Sequence, residues 1–504
     1  MAPSWRRLAR AAADPSAAQA ARLNVILRAN EASAFGRAHG FAKLYDSKAF
    51  ARAVPVHTYD ELWPWIERVA AGETGVLTRE PVLMFERTSG STAPNKLIPY
   101  TRGLLREIAA AVNPWLYNLN RALPPLRRTR AYWSISPVTR QAERTAGGVP
   151  VGLEDDASYF GALGRWFVAR QMVVPSSVGR LPDIEAWRFA TCRHLLAAPD
   201  LGLISVWSPS FLTLLLDAIA RDWTRLLPLS GRARVLGPAV ERAGQITGEI
   251  LWPELALVSC WADGPAAAFL PALRRYFPRT PIQAKGLLAS EGVVSFPLWG
   301  LDGGLAAVAS HFLEFIDLEQ PNAPPRLAHE LRAGAAYAPL LTTSGGLYRY
   351  HLRDVVRCVG HWQATPLLSF LGRLDTVSDL AGEKLDARVV GEALSATTRA
   401  LGAAWQFAML APESGPPPAY VVYLEGEGSD ALLAETAAHL EAALAAGAHY
   451  AYCRKLGQLG PLRAVRVRDG AAAVARRGAA EGLRLGDIKP SPLDRRVNWQ
   501  PWFS

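Results

Sequence analysis

Phe85-Glu86-Arg87-Thr88-Ser89-Gly90-Ser91-Thr92-Ala93-Pro94-Asn95-Lys96-Leu97-Ile98-Pro99 is the stretch whose reading decides the fold. Four hydroxyl side chains surround Gly90, and Lys96 follows after a short turn. Glycine lets the backbone approach a ligand closely and takes φ > 0 at no steric cost. Successive N–H groups in such a turn form a concavity for anions, to which Thr88, Ser89, Ser91 and Thr92 add donors. Lys96 can set a point charge against outer phosphate oxygens. The loop is not a Walker A sequence, because no glycine precedes Lys96 and Leu97 follows it. An ordinary Ser/Thr/Gly surface loop has the same composition, so the surroundings must decide. Upstream, Val82-Leu83-Met84-Phe85 reads as a short buried strand. Downstream, residues 102–112 put Leu104, Leu105, Ile108 and Val112 on one helical face. Strand, loop, helix is the order that presents backbone amides to phosphate.

A chain of 504 residues exceeds what one hydrophobic core organises, so two or more domains are expected. Half the residues are hydrophobic and 20% are charged, the balance of a globular protein. With 55 basic and 45 acidic residues the net charge is +10, which can attract anionic partners. No basic run is denser than Arg127-Arg128-Thr129-Arg130, and no zinc-finger or basic-zipper spacing occurs. No nucleic-acid partner is therefore expected. Cys192, Cys260, Cys358 and Cys453 are scattered without a CxxC pair, which argues against a disulfide framework and a thiolate zinc site. Residues 1–10 lack an apolar signal core, and no run of about 18 apolar residues occurs. The expectation is a soluble, reduced, cytoplasmic protein without a membrane partner.

Along the chain, strand and helix patterns alternate. Residues 131–137, 203–207, 255–261 and 281–285 read as buried strands, and residues 212–219 and 264–276 as helices. Alternation of this kind predicts an α/β layered domain with ligands beyond the carboxyl ends of the strands. A second stretch, Gly286-Leu287-Leu288-Ala289-Ser290-Glu291-Gly292, sets a serine and a carboxylate after a strand. That pair suits a nucleotide with Mg²⁺, and equally an ordinary cap or turn. The third stretch runs from Thr342-Thr343-Ser344-Gly345-Gly346 through Leu347-Tyr348-Arg349-Tyr350-His351-Leu352-Arg353-Asp354. It reads as a glycine turn leading into a strand that ends on Asp354. An aspartate there can accept two hydrogen bonds from a ribose diol, and Tyr348 can cover a base or sugar face. Gly372 and Asp375 mark a hinge, after which residues 406–467 read as a compact α/β unit. Trp133, Ser134 and Trp207 fall at strand ends that could line an acyl pocket, although core packing explains them equally well.

Taken in order, Thr88-Ser89-Gly90-Ser91-Thr92 with Lys96, Leu287 to Gly292, Gly346 to Asp354, Gly372-Arg373 with Asp375, and Gly486-Asp487-Ile488-Lys489-Pro490 resemble the adenylate-forming superfamily. More narrowly, they resemble the Gretchen Hagen (auxin-responsive) family of acyl-acid amido synthetases, bacterial members especially. The resemblance runs from about Leu23 to Trp502. It implies a large N-terminal α/β domain over residues 1–373 and a smaller mobile α/β domain over residues 374–504. It also implies that ATP and Mg²⁺ serve to join a small-molecule carboxylic acid to an amino acid through an acyl-adenylate, in a monomer. Carried over, Thr88 to Thr92 and Lys96 would hold the β- and γ-phosphates. Ala289 and Ser290 would line the α-phosphate and adenosine, and Glu291 would ligate Mg²⁺. Tyr348 would contact the nucleoside, Asp354 the ribose, and Arg373 the hinge-side ribose or phosphate. Asp375 would be the hinge pivot and Lys489 the mobile adenylation lysine, with Lys384 a second candidate. Ala93, His351 and Arg353 depart from the family pattern, Arg353 standing where a glycine usually precedes the ribose aspartate. An acyl-CoA ligase shares the first half-reaction, and a basic nucleic-acid-binding module is a reading of another class.

Overall fold

A computed structural model describes residues 2–87, 96–133, 143–152, 171–181, 183–374, 377–378, 380–381, 383–481, 483, 488 and 491–503. The chain forms two compact units. The first comprises Met1–Ser205, Glu254–Ser259 and Ile282–Phe370, and the second Val206–Pro253, Cys260–Pro281 and Leu371–Ser504.

The helices of the first unit include α1 (Ala2–Ala13), α2 (Pro15–Asn30), α3 (Tyr59–Ala70) and α4 (Arg102–Ala122). Their starts follow from short polar side chains. Asp14 accepts from the Ala17 amide ahead of Pro15, and the Glu61 carboxylate accepts from both the Thr58 amide and its hydroxyl. Strands β1 (Met84–Arg87) and β2 (Leu97–Tyr100) pair antiparallel, with Arg87 opposite Leu97. With β4 (Glu143–Arg144) and β5 (Pro150–Val151) they make a sheet of order β2-β1-β5-β4. A second sheet, β3-β6-β7-β8, is built from β3 (Arg130–Trp133), β6 (Leu201–Ser205), β7 (Leu257–Cys260) and β8 (Ile282–Ala284). The β3–β6 and β6–β7 pairs are parallel, as the alternating pattern predicts.

A two-residue hairpin follows, with β9 (Leu288–Ala289) and β10 (Gly292–Val293). The largest sheet has eight strands. Its path runs β11 (Ser295–Pro297), β12 (Gly304–Ala306), β18 (Thr365–Arg373), β17 (Asp354–Trp362), β15 (Ala336–Thr342), β13 (Phe312–Asp317), β14 (Arg326–Leu327), with β16 (Tyr350–His351) paired to β15. Phe35, Phe41, Phe50, Ile98, Leu104, Phe312, Leu341, Tyr348 and Val356 belong to one buried cluster that joins helices to this sheet.

In the second unit, α5 (Pro209–Arg221) is joined by the short pair β19 (Val377–Ser378) and β20 (Leu385–Asp386), and by α6 (Ala387–Ala400). Strands β21 (Phe407–Glu413), β22 (Ala419–Glu425) and β23 (Arg463–Arg466) form a sheet of that order, and α7 (Asp430–Leu444) lies between β22 and β23 in sequence. Val390, Leu410, Val422, Leu424, Leu440 and Leu444 close its core. Among the described residues no helix is long and apolar enough to cross a membrane.

Two local expectations are corrected. The hydroxyl-rich loop does not lead straight into a helix, because β2 intervenes. Moreover, the first amides of α4 are already occupied: Thr101 Oγ1 accepts from Leu104 N at 3.1 Å, and Glu80 Oε2 accepts from Gly103 N at 2.7 Å. That helix end has little to offer a phosphate. The strand read across residues 347–354 is broken as well. β16 stops at His351, and Asp354 opens β17 instead of ending a strand.

Candidate active site

Arg87, at the end of β1, pairs with Leu97 at the start of β2, and Lys96 stands immediately before it. Lys96 Nζ donates to Tyr350 Oη at 3.3 Å and lies 5.3 Å from the centre of the Tyr59 ring. Tyr59 is the first residue of α3, and its hydroxyl accepts from Leu97 N at 2.8 Å. A cation facing an aromatic ring is held without being neutralised, which leaves its charge for an anion. Burial, together with the nearby Asp60 and Glu291 carboxylates, pushes the Tyr59 hydroxyl up to about 12. It therefore stays protonated at neutral pH.

Ser290 and Glu291 are the two turn residues of the β9–β10 hairpin, since Ala289 pairs with Gly292. Tyr100 Oη, from β2, donates to Ser290 O at 2.8 Å. The base of the hydroxyl-rich loop, the Ser-Glu turn and Tyr350 of the third stretch thus meet around Tyr59 and Tyr100.

A buried carboxylate organises the layer beneath. Glu107, on α4, is 2% exposed. It accepts from the Ser344 amide at 3.0 Å, from Ser344 Oγ at 2.7 Å and from Arg22. His311 Nδ1 lies 3.1 Å from Glu107 Oε2, while His311 Nε2 accepts from Val293 N at 3.0 Å. The network assigns the proton to Nδ1. Burial opposes ionisation of Glu107, yet His311, Arg22 and Ser344 outweigh it and hold the carboxyl below its usual range. The glycine turn of the third stretch and the Ser-Glu hairpin are therefore fastened to one helix. Gly345 has no alternative there, because a Cβ would come within 2.8 Å of Pro99 O.

The other expected residues fall as follows. Ala289 ends β9 and is partly buried. Asp354 is buried at the start of β17. Arg353 precedes it at φ 63°, so this position keeps a left-handed backbone even with arginine in it. Arg353 N donates to His351 Nδ1 at 2.9 Å. Arg373 ends β18. Trp133 ends β3, and Trp207 packs on Trp261 at 5.7 Å within the second unit. Lys384 is exposed at φ 48°, beside a buried Glu383 that takes the Leu380 and Ala381 amides at 2.7 Å each. Thr88, Ser89, Gly90, Ser91, Thr92, Ser134, Asp375 and Lys489 lie outside the described residues.

Tyr348 requires correction. It is fully enclosed, stacked on Phe35 at 4.7 Å, with its hydroxyl donating to Leu77 O at 2.8 Å. It has neither a ring face nor a hydroxyl left for a nucleoside. The tyrosine of that motif that reaches the loop is Tyr350. Tyr59, Tyr100, Glu107 and His311 escaped the sequence reading because they touch the motifs only through long-range pairing. A buried Glu on the otherwise apolar face of α4 was the one local signal.

Three family models match in order: the GH3 family N-terminal domain over residues 5–229, the central domain over 304–373 and the C-terminal domain over 388–495. The chain is 27% identical to a probable indole-3-acetic acid-amido synthetase, GH3.12, of Oryza sativa subsp. japonica, across 96% of this chain and 92% of that protein. It is 23% identical to a jasmonoyl-L-amino acid synthetase, GH3.5, of the same plant, across 91% and 88%. Among solved structures, the AtGH3.15 acyl acid amido synthetase in complex with 2,4-DB superposes with a TM-score of 0.85, at 19% identity, over 98% of this chain and 94% of that one. A 2-hydroxyisobutyryl-CoA ligase in the postadenylation state shares the fold at a TM-score of 0.57, at 12% identity, over 97% and 91%. With all three domains matched in order, the chain belongs to the GH3 family.

Proposed function

We propose that this chain activates a carboxylic acid with ATP and passes the acyl group to the amine of an amino acid. In the first step a carboxylate oxygen bonds to the α-phosphorus and the bond to the bridging oxygen breaks, releasing pyrophosphate. In the second, the amine nitrogen bonds to the acyl carbon, the carbon–oxygen bond to AMP breaks, and the amine proton leaves to solvent. An anion attacking an anion is opposed by charge, so cations fixed in advance lower the barrier.

What supports the reading is the meeting of Lys96, Tyr350 and the Ser290–Glu291 turn around Tyr59. In this reading Lys96 takes outer phosphate oxygens, Ser290 the α-phosphate and Asp354 the ribose hydroxyls, while the tyrosines keep Lys96 in place. A half-buried carboxylate at a turn fits a divalent ion held mainly by phosphate oxygens, so Glu291 would hold Mg²⁺. That ion supplies charge neutralisation on the phosphates. Thr88 to Thr92, Arg373 and the mobile Lys489 complete the proposed machinery, in a monomeric, cytoplasmic enzyme whose small domain is residues 374–504.

The test is pyrophosphate release across a panel of acids, followed by product mass with amino acids or with coenzyme A. Acid-dependent release and an amide mass are expected. A thioester without an amide would assign the chain to the CoA-ligase reading. Salt-sensitive nucleic-acid binding with no acid-dependent release would overturn the enzyme reading altogether.

A further inference from the structure

Within the first unit, a cavity of about 470 Å³ lies where α1 meets the last turns of α4, lined by Trp5, Tyr117, Asn118, Arg121 and Ala122. Small-molecule sites commonly measure about 300–1,000 Å³, with aromatic walls and a few placed polar groups. The Trp5 ring centre stands 5.9 Å from that of Tyr117 and 6.0 Å from that of Trp362, which ends β17. All three rings are only partly buried. This wall is held from behind. Ala12 O, near the end of α1, accepts from Ala364 N at 3.1 Å and from Thr365 Oγ1 at 3.2 Å. Leu8, three residues after Trp5, is buried in a cluster with Trp115 and Leu119 of α4. A ligand stacking on rings already fixed in place has little ordering left to oppose it.

Two polar side chains converge on the same space. Arg121 follows Tyr117 by four residues, so both stand on one face of α4. Its guanidinium remains protonated in proteins. It is exposed, and among the described residues it has no hydrogen-bond or ion-pair partner. Asn118 Oδ1 accepts from Trp299 N at 2.6 Å, which fixes the amide orientation and leaves Nδ2 as a donor. The local charge is one-sided. α1 has no acidic residue and adds Arg6, Arg7 and Arg10, while the sole acid of α4, Glu107, lies about 21 Å back along the helix axis from Arg121.

We infer that this cavity binds a small planar aromatic carboxylate, its ring against Trp5 and Tyr117 and its carboxylate on Arg121, with Asn118 Nδ2 as a neutral donor. A flat guanidinium meets a carboxylate in two parallel hydrogen bonds, which a lone aromatic wall could not supply. No bond to the protein forms, and no ATP takes part. Glu107 marks the layer beneath the nucleotide side, so a ligand held some 21 Å along α4 is a second occupant and not the acid undergoing activation.

Isothermal titration of the full chain without ATP tests this, with 2-naphthoate, its uncharged amide 2-naphthamide, and cyclohexanecarboxylate as probes. Wild type should bind 2-naphthoate saturably with a Kd below about 1 mM, and cyclohexanecarboxylate at least about fivefold more weakly. Arg121→Met, a change at an exposed position, should weaken 2-naphthoate about 5- to 20-fold while altering 2-naphthamide less than about twofold. Trp5→Leu should weaken both aromatic probes about 3- to 10-fold; should that variant not fold, Arg121→Met decides alone. Absence of saturable 2-naphthoate binding would overturn the site. So would equal affinity of wild type and Arg121→Met, the result expected if naphthoate sat only at the adenylation centre.

Discussion

Tyr348 and Asp354 stand six residues apart in one motif, yet the structure gives them different surroundings. Tyr348→Phe removes a buried hydrogen bond to Leu77 O and should cost about 1 kcal/mol in urea unfolding, with the KM for ATP unchanged. Asp354→Ala should instead raise the KM for ATP about 10- to 100-fold, the equivalent of about 1.5–3 kcal/mol for a charge-assisted bond. If Tyr348→Phe weakened ATP binding as much as Asp354→Ala, the enclosed position of the tyrosine would be wrong. Arg353 offers a third test at this scale. A non-glycine residue at φ 63° is strained, so Arg353→Gly should stabilise the protein by about 0.5–1 kcal/mol after the entropy cost of glycine is included. A loss of stability would show that the arginine side chain contributes more than its backbone costs. The sequence marked Arg353 only as standing where the family usually has a glycine, and the left-handed backbone there came from the structure. The sequence did not foretell that Tyr350, rather than Tyr348, meets Lys96, because only the pairing of β16 with β15 separates the two.

At the scale of elements, the strands of the β3-β6-β7-β8 sheet were legible from their apolar runs, and the helix start at Thr101 from its side chain. β2 was not. It is four residues long and contains Pro99, which reads as a breaker and is tolerated because β2 is an edge strand. The Ser290–Glu291 hairpin was equally hidden, its strands being two residues each. What makes such short elements hold is the Glu107–His311–Ser344 network, and that network makes a pH prediction. A carboxyl held below its usual range when folded contributes stability that is fully present above the unfolded value of about 4.3. The contribution is lost as pH falls through the lower folded value. Glu107→Gln should therefore cost about 3 kcal/mol at neutral pH, with the gap to wild type closing below about pH 4. A gap independent of pH would mean that Glu107 is neutral in the fold.

Across the whole molecule, length and composition implied more than one domain, and the chain forms two compact units whose segments interleave. Interleaving of this kind is invisible to sequence, since it depends on which strand ends the chain returns to. The two-step reading sets its own test at this scale. If Lys489 serves adenylation and withdraws before aminolysis, Lys489→Ala should slow adenylate formation about 10²- to 10³-fold while leaving amide formation from supplied acyl-adenylate within a few-fold. Equal losses in both steps would remove the mobile-lysine role. The claim on which the account rests is that the acid's own oxygen becomes bonded to the α-phosphate. Mass analysis of AMP formed from an acid labelled with ¹⁸O in both carboxylate oxygens, in the presence of the amino acid, reads that bond directly. One ¹⁸O per AMP formed is the predicted result, and unlabelled AMP, or label in inorganic phosphate with ADP as product, would contradict it.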